Sequence, residues 1–260
     1  MKWIFVLTFS LFLFTAQVWA DEHPPSGDNP PITEEDLTGD GQLVRAGAIV
    51  EWLVLDPPIK TGTGSDVAAN TDSLIDAYPE GESEVRPADG DTFESPGPTN
   101  KGDTITWRRV NFLDLGADGI TDNGAWPASG NCFDWKEWGA RDSINNFVEY
   151  AIAWAIWESD DDVSFFLGVD DAGVLYVDGE KVINAPNASQ NWGADQHSGT
   201  TKVPANEWVH LVLKIGENTG ECGFTLRSDP IAADITTDTV LKAVTPQSKL
   251  ATTWAQIKSH

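Results

Sequence analysis

The chain has 260 residues, 41 Asp and Glu against 16 Lys and Arg, and a formal net charge of −25. Phosphate backbones and anionic membranes repel so acidic a surface, which excludes nucleic acid as a partner and electrostatic membrane association as a mode of action. A hydrophobic content of 40% with only 22% charged residues supports a packed core and not a disordered acidic tail.

Residues 1–20 read as a secretory signal peptide. Lys2 supplies a positive start, Trp3 to Phe14 is almost wholly apolar, and Val18-Trp19-Ala20 places small residues at −3 and −1 before Asp21. An uncleaved anchor is the competing reading, and its apolar core is short for a membrane span. No later segment is apolar for long enough to cross a bilayer, so no membrane insertion of the mature chain is expected. The expected location is outside the cell or in the periplasm.

Residues 21–44 form a Pro-rich linker. Within it, Asp36-Leu37-Thr38-Gly39-Asp40-Gly41 opens like a calcium loop, but the twelfth position is Gly47 and carries no carboxylate, so the segment reads as a turn. Residues 45–232 read as one domain. Ala48 to Leu55 and Asp103 to Val110 are strands, and a long Gly-, Pro-, Ser-rich stretch separates them. Such a length of chain is uncommon in a compact domain unless it has a use. A second polar, Trp-containing loop runs from Gly116 to about Asn145.

Phe147 to Trp157 (FVEYAIAWAIW) fits a helix or a buried strand by periodicity alone. Its β-branched and aromatic residues favour the strand. Short strands follow closely at Val163 to Val169, Val174 to Asp178, Lys181 to Asn184, Trp208 to Ile215 and Phe224 to Ser228. Strands this short, with turn signals between them, predict an all-β protein: a β-sandwich or jelly roll with long loops. Residues 233–260 are a short polar C-terminal tail with one candidate helix at residues 252–258.

Two cysteines remain, Cys132 and Cys222. In an exported protein they pair by default, closing a loop of about 90 residues and contributing roughly 4–5 kcal/mol in the chain-entropy picture. Two buried thiols are the alternative.

The stretch Phe165 to Gly179 (FFLGVDDAGVLYVDG) carries the strongest local signal. Asp178-Gly179 between alternating runs predicts a tight hairpin. Just upstream, Asp170 and Asp171 fall where one strand ends and the next begins. Neighbouring carboxylates there need solvent or a positive partner, and calcium is the simplest. The competing reading is plain turn chemistry, which Asp performs well.

Trp52-Leu53-Val54-Leu55-Asp56-Pro57, the stretch Phe165 to Asn184, the strand Trp208 to Ile215 and the ending Gly223-Phe224-Thr225-Leu226-Arg227 together resemble the protective-antigen-type, flocculin-like β-sandwich sugar-binding modules of secreted bacterial proteins. Laminin-G and concanavalin-type sandwiches share Tyr-Val-Asp-Gly and Trp-Val-His segments, but in the opposite order. The resemblance implies a calcium ion held by Asp170 and Asp171 across a cis peptide, with further oxygens from Asn184, Asn187, Asn191 or Asp195, and a sugar ligand completing the coordination. Calcium takes six to eight oxygens, so several donors beyond the pair are needed.

Aromatic residues sharpen this expectation. Trp52, Trp107, Trp154, Trp157 and Trp208 fall in strand-like runs and read as core. Trp126, Trp135, Trp138 and Trp192 fall in polar loops, where a flat ring can stack on the apolar face of a sugar or pin the loop to the sandwich. Trp192 shares its loop with Asn187, Asn191 and Asp195. The candidate carbohydrate contacts are therefore Trp192, Asn187, Asn191, Asp195, Trp135 and Trp138. The candidate metal ligands are Asp170, Asp171 and Asn184.

Catalytic signals are weak. No Gly-x-Ser-x-Gly elbow occurs, and no Cys/His spacing suggests zinc. Glu158-Ser159-Asp160-Asp161-Asp162 begins like a glycosidase acid ladder, but Val163 stands at the second Glu position, so the segment reads as a solvated turn. The expectation is a secreted, non-catalytic carbohydrate-binding module, assisted by calcium, with a polysaccharide or glycoconjugate partner. A structural or adhesive surface domain without a small ligand is the alternative, favoured by Val169 and Ala172 flanking the acid pair. A polysaccharide hydrolase is the third reading.

Overall fold

The ambiguous apolar run is a strand, Phe147–Ile156, buried along nine of its ten residues. The reason is visible in what covers it. A sheet lies against one face and a long loop segment against the other, so neither face of the strand needs polar residues. The computed structural model describes residues 47–62, 69–111, 120–121, 132–133, 145–186, 195–219 and 223–238.

In chain order the strands are β1 (Glu51–Asp56), β2 (Ile59–Lys60), β3 (Thr92–Glu94), β4 (Thr104–Asn111), β5 (Ile120–Thr121), β6 (Cys132–Phe133), β7 (Phe147–Ile156), β8 (Asp162–Asp170), β9 (Ala172–Val177), β10 (Glu180–Ala185), β11 (His197–Lys202), β12 (Trp208–Glu217), β13 (Gly223–Asp229) and β14 (Asp234–Thr236). They form two sheets, a larger one ordered β10-β9-β12-β7-β1-β4-β3, with β2 and β14 also pairing with β7, and a smaller one ordered β11-β8-β13-β6-β5. Every strand pair within them is antiparallel. The expected all-β sandwich is therefore the fold. β14 lies within the segment read as tail and adds to the large sheet. Residues 1–44 and the candidate helix at 252–258 lie outside the described residues.

Alternation along β7 sorts its side chains between two cores. Ala151, Ala153 and Ala155 face the small sheet and meet Val163, Phe165, Leu167, Phe224 and Leu226. Tyr150, Ile152 and Trp154 face outward, where Ala69, Leu74 and Val85 of the stretch between β2 and β3 close over them. The small alanines let the two sheets approach, and the bulky residues fill the space beneath the loop layer. The stretch that sequence left without a purpose is thus a third layer.

A buried polar cluster fixes that layer. Lys214 on β12 is fully buried, and its ammonium donates to Glu82 Oε2 at 2.8 Å and to the Thr71 carbonyl. Tyr150 Oη donates to the same Oε2 at 2.5 Å, and Tyr176 Oη to Oε1 at 2.6 Å. Burial pushes the Lys214 ammonium below its ordinary range, with the Glu82 charge opposing. Burial, reinforced by Glu82, raises the Tyr150 phenol well above its usual value and the Tyr176 phenol likewise.

The hairpin between β9 and β10 matches its signal. Asp178 has φ 49° and Gly179 φ 84°, the left-handed pair that a two-residue turn between twisted strands requires.

Candidate functional site

β8 ends at Asp170 in the small sheet, and β9 begins at Ala172 in the large one. Asp171 alone spans the two sheets. The register explains the position: Asp170 lies opposite Gly223 on β13, and Ala172 lies opposite Gly216 on β12. The Asp170–Asp171 peptide is cis.

The end of β8, the crossing residue and the end of β12 each contribute an acid. Carboxylate oxygens of Asp170, Asp171 and Glu217, the last residue of β12, all lie within 4.8 Å of one another. Asp171 is 6% exposed and Glu217 fully buried. Two oxygens bound to one calcium ion at about 2.3–2.6 Å can be at most about 5 Å apart, so the spacing suits a shared ion. Hard carboxylate oxygens favour calcium, magnesium or manganese over soft metals. Crowding three acids with little solvent raises the energy of their ionised state, and a divalent cation offsets that repulsion.

Neighbouring backbone holds the acids in place. The Asn218 amide donates to Asp171 Oδ2 at 2.8 Å, and the Asp171 amide donates to the Gly216 carbonyl at 3.3 Å. Further out, the Asn146 amide donates to the Asn218 carbonyl at 2.9 Å, and the Thr61 amide donates to the Asn146 carbonyl at 2.8 Å. The acid cluster therefore stands at an end of the sandwich tied together by loop backbone.

Of the residues that sequence nominated, Asp170 and Asp171 come together, and Glu217 joins them unforeseen. Glu217 lies two residues past the expected strand end at Ile215, and only the β12 register brings it to the pair. Asn184 is exposed on β10, opposite Val174. The Asp195 carboxylate takes the Arg227 guanidinium, with Nε and Nη2 both at 2.9 Å at their shortest, while that guanidinium stacks over Phe166 at 3.8 Å. This is a planar, bidentate pair linking the start of β11 to β13. Asn187, Asn191, Trp192, Trp135, Trp138 and Cys222 lie outside the described residues, as does the side chain of Cys132. Trp52, Trp107, Trp154 and Trp157 are buried core residues, as read, and Trp208 is half-buried against the outer core. His210 is also buried, with its ring 5.0 Å from that of Trp154.

Among solved structures the chain is similar to an anti-sigma factor domain-containing protein from Clostridium clariflavum, with 14% identity over 42% of this chain and 37% of that one and a TM-score of 0.31. A beta-glucosidase from Kluyveromyces marxianus shares 13% identity over 66% of this chain and 18% of its own, with a TM-score of 0.35. The Epithelial Adhesin 9 A domain from Candida glabrata, solved in complex with Galb1-4GlcNAc, shares 10% identity over 74% of this chain and 87% of its own, with a TM-score of 0.35. The chain spans about a third of the first of these proteins and under a fifth of the second. No family model and no curated protein matches it. At these values the likenesses are of fold level and carry no functional argument.

Proposed function

We propose that the protein is an exported, non-catalytic carbohydrate-binding module whose site is organised by a calcium ion at Asp170, Asp171 and Glu217. The observation that carries the reading is the convergence of these three carboxylates at the single-residue crossing between the sheets. Vicinal sugar hydroxyls are neutral oxygen donors and would complete the six to eight ligands that calcium takes. The ion would bridge protein and sugar, and the loops at this end would choose among sugars.

Export agrees with the signal-like residues 1–20 and the pairing expected of Cys132 with Cys222. Glycan-array binding in millimolar calcium, repeated in EDTA and with the Asp170→Ala/Asp171→Ala variant, tests the reading. The expected result is binding to a restricted glycan set that both treatments abolish. Binding that survives both treatments overturns it. A blank array together with self-association would favour the structural or adhesive alternative.

A further inference from the structure

A second feature lies in the third layer. The segment at 71–76 and the Pro96-Gly97-Pro98 segment face each other across a cavity of ≈ 250 Å³, with Ile59 between them. This is room for one ring-sized molecule, below the ~300–1,000 Å³ typical of drug-sized pockets.

Both walls are held by polar contacts, buried or partly so. On one side the Thr71 carbonyl accepts from Lys214, Tyr150 Oη accepts from the Ser73 amide at 3.3 Å, and Asp72 accepts from the Leu74 and Glu82 amides at 2.9 and 3.1 Å. On the other, buried Asn100 donates to the Pro58 carbonyl at 3.1 Å and accepts from the Lys60 amide at 3.0 Å and from Ser95 Oγ at 2.7 Å. A Cβ at Gly97 would come within 2.4 Å of the Lys60 carbonyl oxygen, so only glycine lets this wall approach. A buried ion pair is seldom a better source of stability than apolar packing, and its best-attested use is to fix one arrangement. Here the arrangement fixed is a cavity wall, so the pocket is preformed and a ligand need not order it.

The lining states the ligand's chemistry. Ile59, Ile75, Pro96 and Pro98 offer aliphatic surface, and Thr61, Thr71 and Ser73 add hydroxyls. Among the described residues no Lys or Arg lines the cavity, and the Lys214 ammonium is committed to Glu82 and Thr71. Asp76 is exposed at the cavity with no side-chain partner among the described residues. Phosphate and carboxylate ligands are disfavoured by this acidity. A compact ring with apolar C–H faces, hydroxyls and one protonated amine meets every feature.

We infer that this cavity is a binding site for the amino-sugar unit of a glycan, with the ring against Ile59, Ile75 and the two prolines and its ammonium on Asp76. The choice of a sugar ring rests on the carbohydrate reading above, but none of the three clustered acids lines this cavity. Ligand-observed NMR in EDTA on the intact chain tests it, with glucosamine, N-acetylglucosamine and glucose as probes. Glucosamine is expected to bind about two- to fivefold more tightly than the two neutral sugars, the margin of an ion pair at an exposed carboxylate. Asp76→Asn should reduce glucosamine to the level of glucose, and Asp170→Ala/Asp171→Ala should leave it unchanged. Equal binding of the three sugars, an unaffected Asp76→Asn variant, or no binding at roughly 10 mM sugar would overturn the inference. Loss of glucosamine binding in the Asp170/Asp171 variant would overturn it as well, while leaving the first reading intact. A missing calcium response sinks only that first reading, because this experiment excludes metal.

Discussion

Two of the places where the described residues bury charge treat it differently. Around Glu82 the counter-charge is internal: Lys214 supplies it, and two tyrosine hydroxyls share the carboxylate. Around Asp171 three acids converge, the cluster assigned above to calcium. A self-neutralised cluster has a structural job, whereas carboxylates gathered in one place suit a divalent cation.

Breaking the first cluster should produce the largest effect. Lys214→Met leaves Glu82 buried without its cation and should lower unfolding free energy by about 3–5 kcal/mol in urea titrations. Adding Glu82→Gln to the same chain should recover part of that loss, because the remaining groups are neutral. A cost below about 1 kcal/mol for Lys214→Met would mean that the cluster does not hold the third layer.

Alkaline pH probes the same cluster without mutation. Tyr150 and Tyr176 keep their protons in the fold above the ordinary phenol value of 10.0, while the unfolded chain loses them. Their contribution is therefore fully present below pH 10 and declines as pH rises through the window above it, by up to about 1.4 kcal/mol per pH unit for each tyrosine. Lys214 has the opposite sign. Its lowered value disfavours the charged fold at lower pH, and that penalty is relieved as pH rises toward its ordinary 10.5. Above pH 10 the tyrosines dominate. Ultraviolet titration should show no tyrosinate from them at pH 10 until the chain unfolds, and ordinary titration of the native protein would contradict the cluster.

The second cluster should respond to ions and the first should not. Millimolar calcium that saturates the acid site tenfold to hundredfold should add roughly 1.4–2.7 kcal/mol to stability, and Asp170→Ala/Asp171→Ala should abolish the gain. Lys214→Met should retain it. Thermal unfolding in EDTA and in calcium gives the answer, and an unchanged midpoint would reduce the acid pair to a turn. The smallest effect is expected where charge is exposed. Lys202 and Asp160, at 3.5 Å and about two-thirds exposed on both sides, form a surface pair, and Lys202→Ala should cost less than about 0.5 kcal/mol by the same urea measurement.

Legibility in the sequence followed the range of the interactions concerned. The hairpin at Asp178-Gly179 and the strands on either side were readable because turn geometry and alternation are local. The acid pair was readable because its members are adjacent. Glu217 was not, since its approach depends on the pairing of β12 with β9 across more than forty residues. Lys214 carried no local signal of its own. It points outward from β12, and Thr71 and Glu82 of the stretch between β2 and β3 cover it. That cover was foreseen only as a length of chain in need of a purpose. Asp195 was grouped with loop residues by proximity in sequence, while its partner Arg227 comes from a strand 32 residues on.

The crossing at Asp171 also has a mechanical meaning. One residue is the whole covalent path from the last paired residue of the small sheet to the first of the large one. At this end Asp170 and Ala172 are two Cα–Cα steps apart and cannot separate by more than about 7 Å. Elsewhere they are joined by side-chain packing or by longer lengths of chain. Tension that pulls the sheets apart should therefore open the sandwich from the far end and reach the acid cluster last.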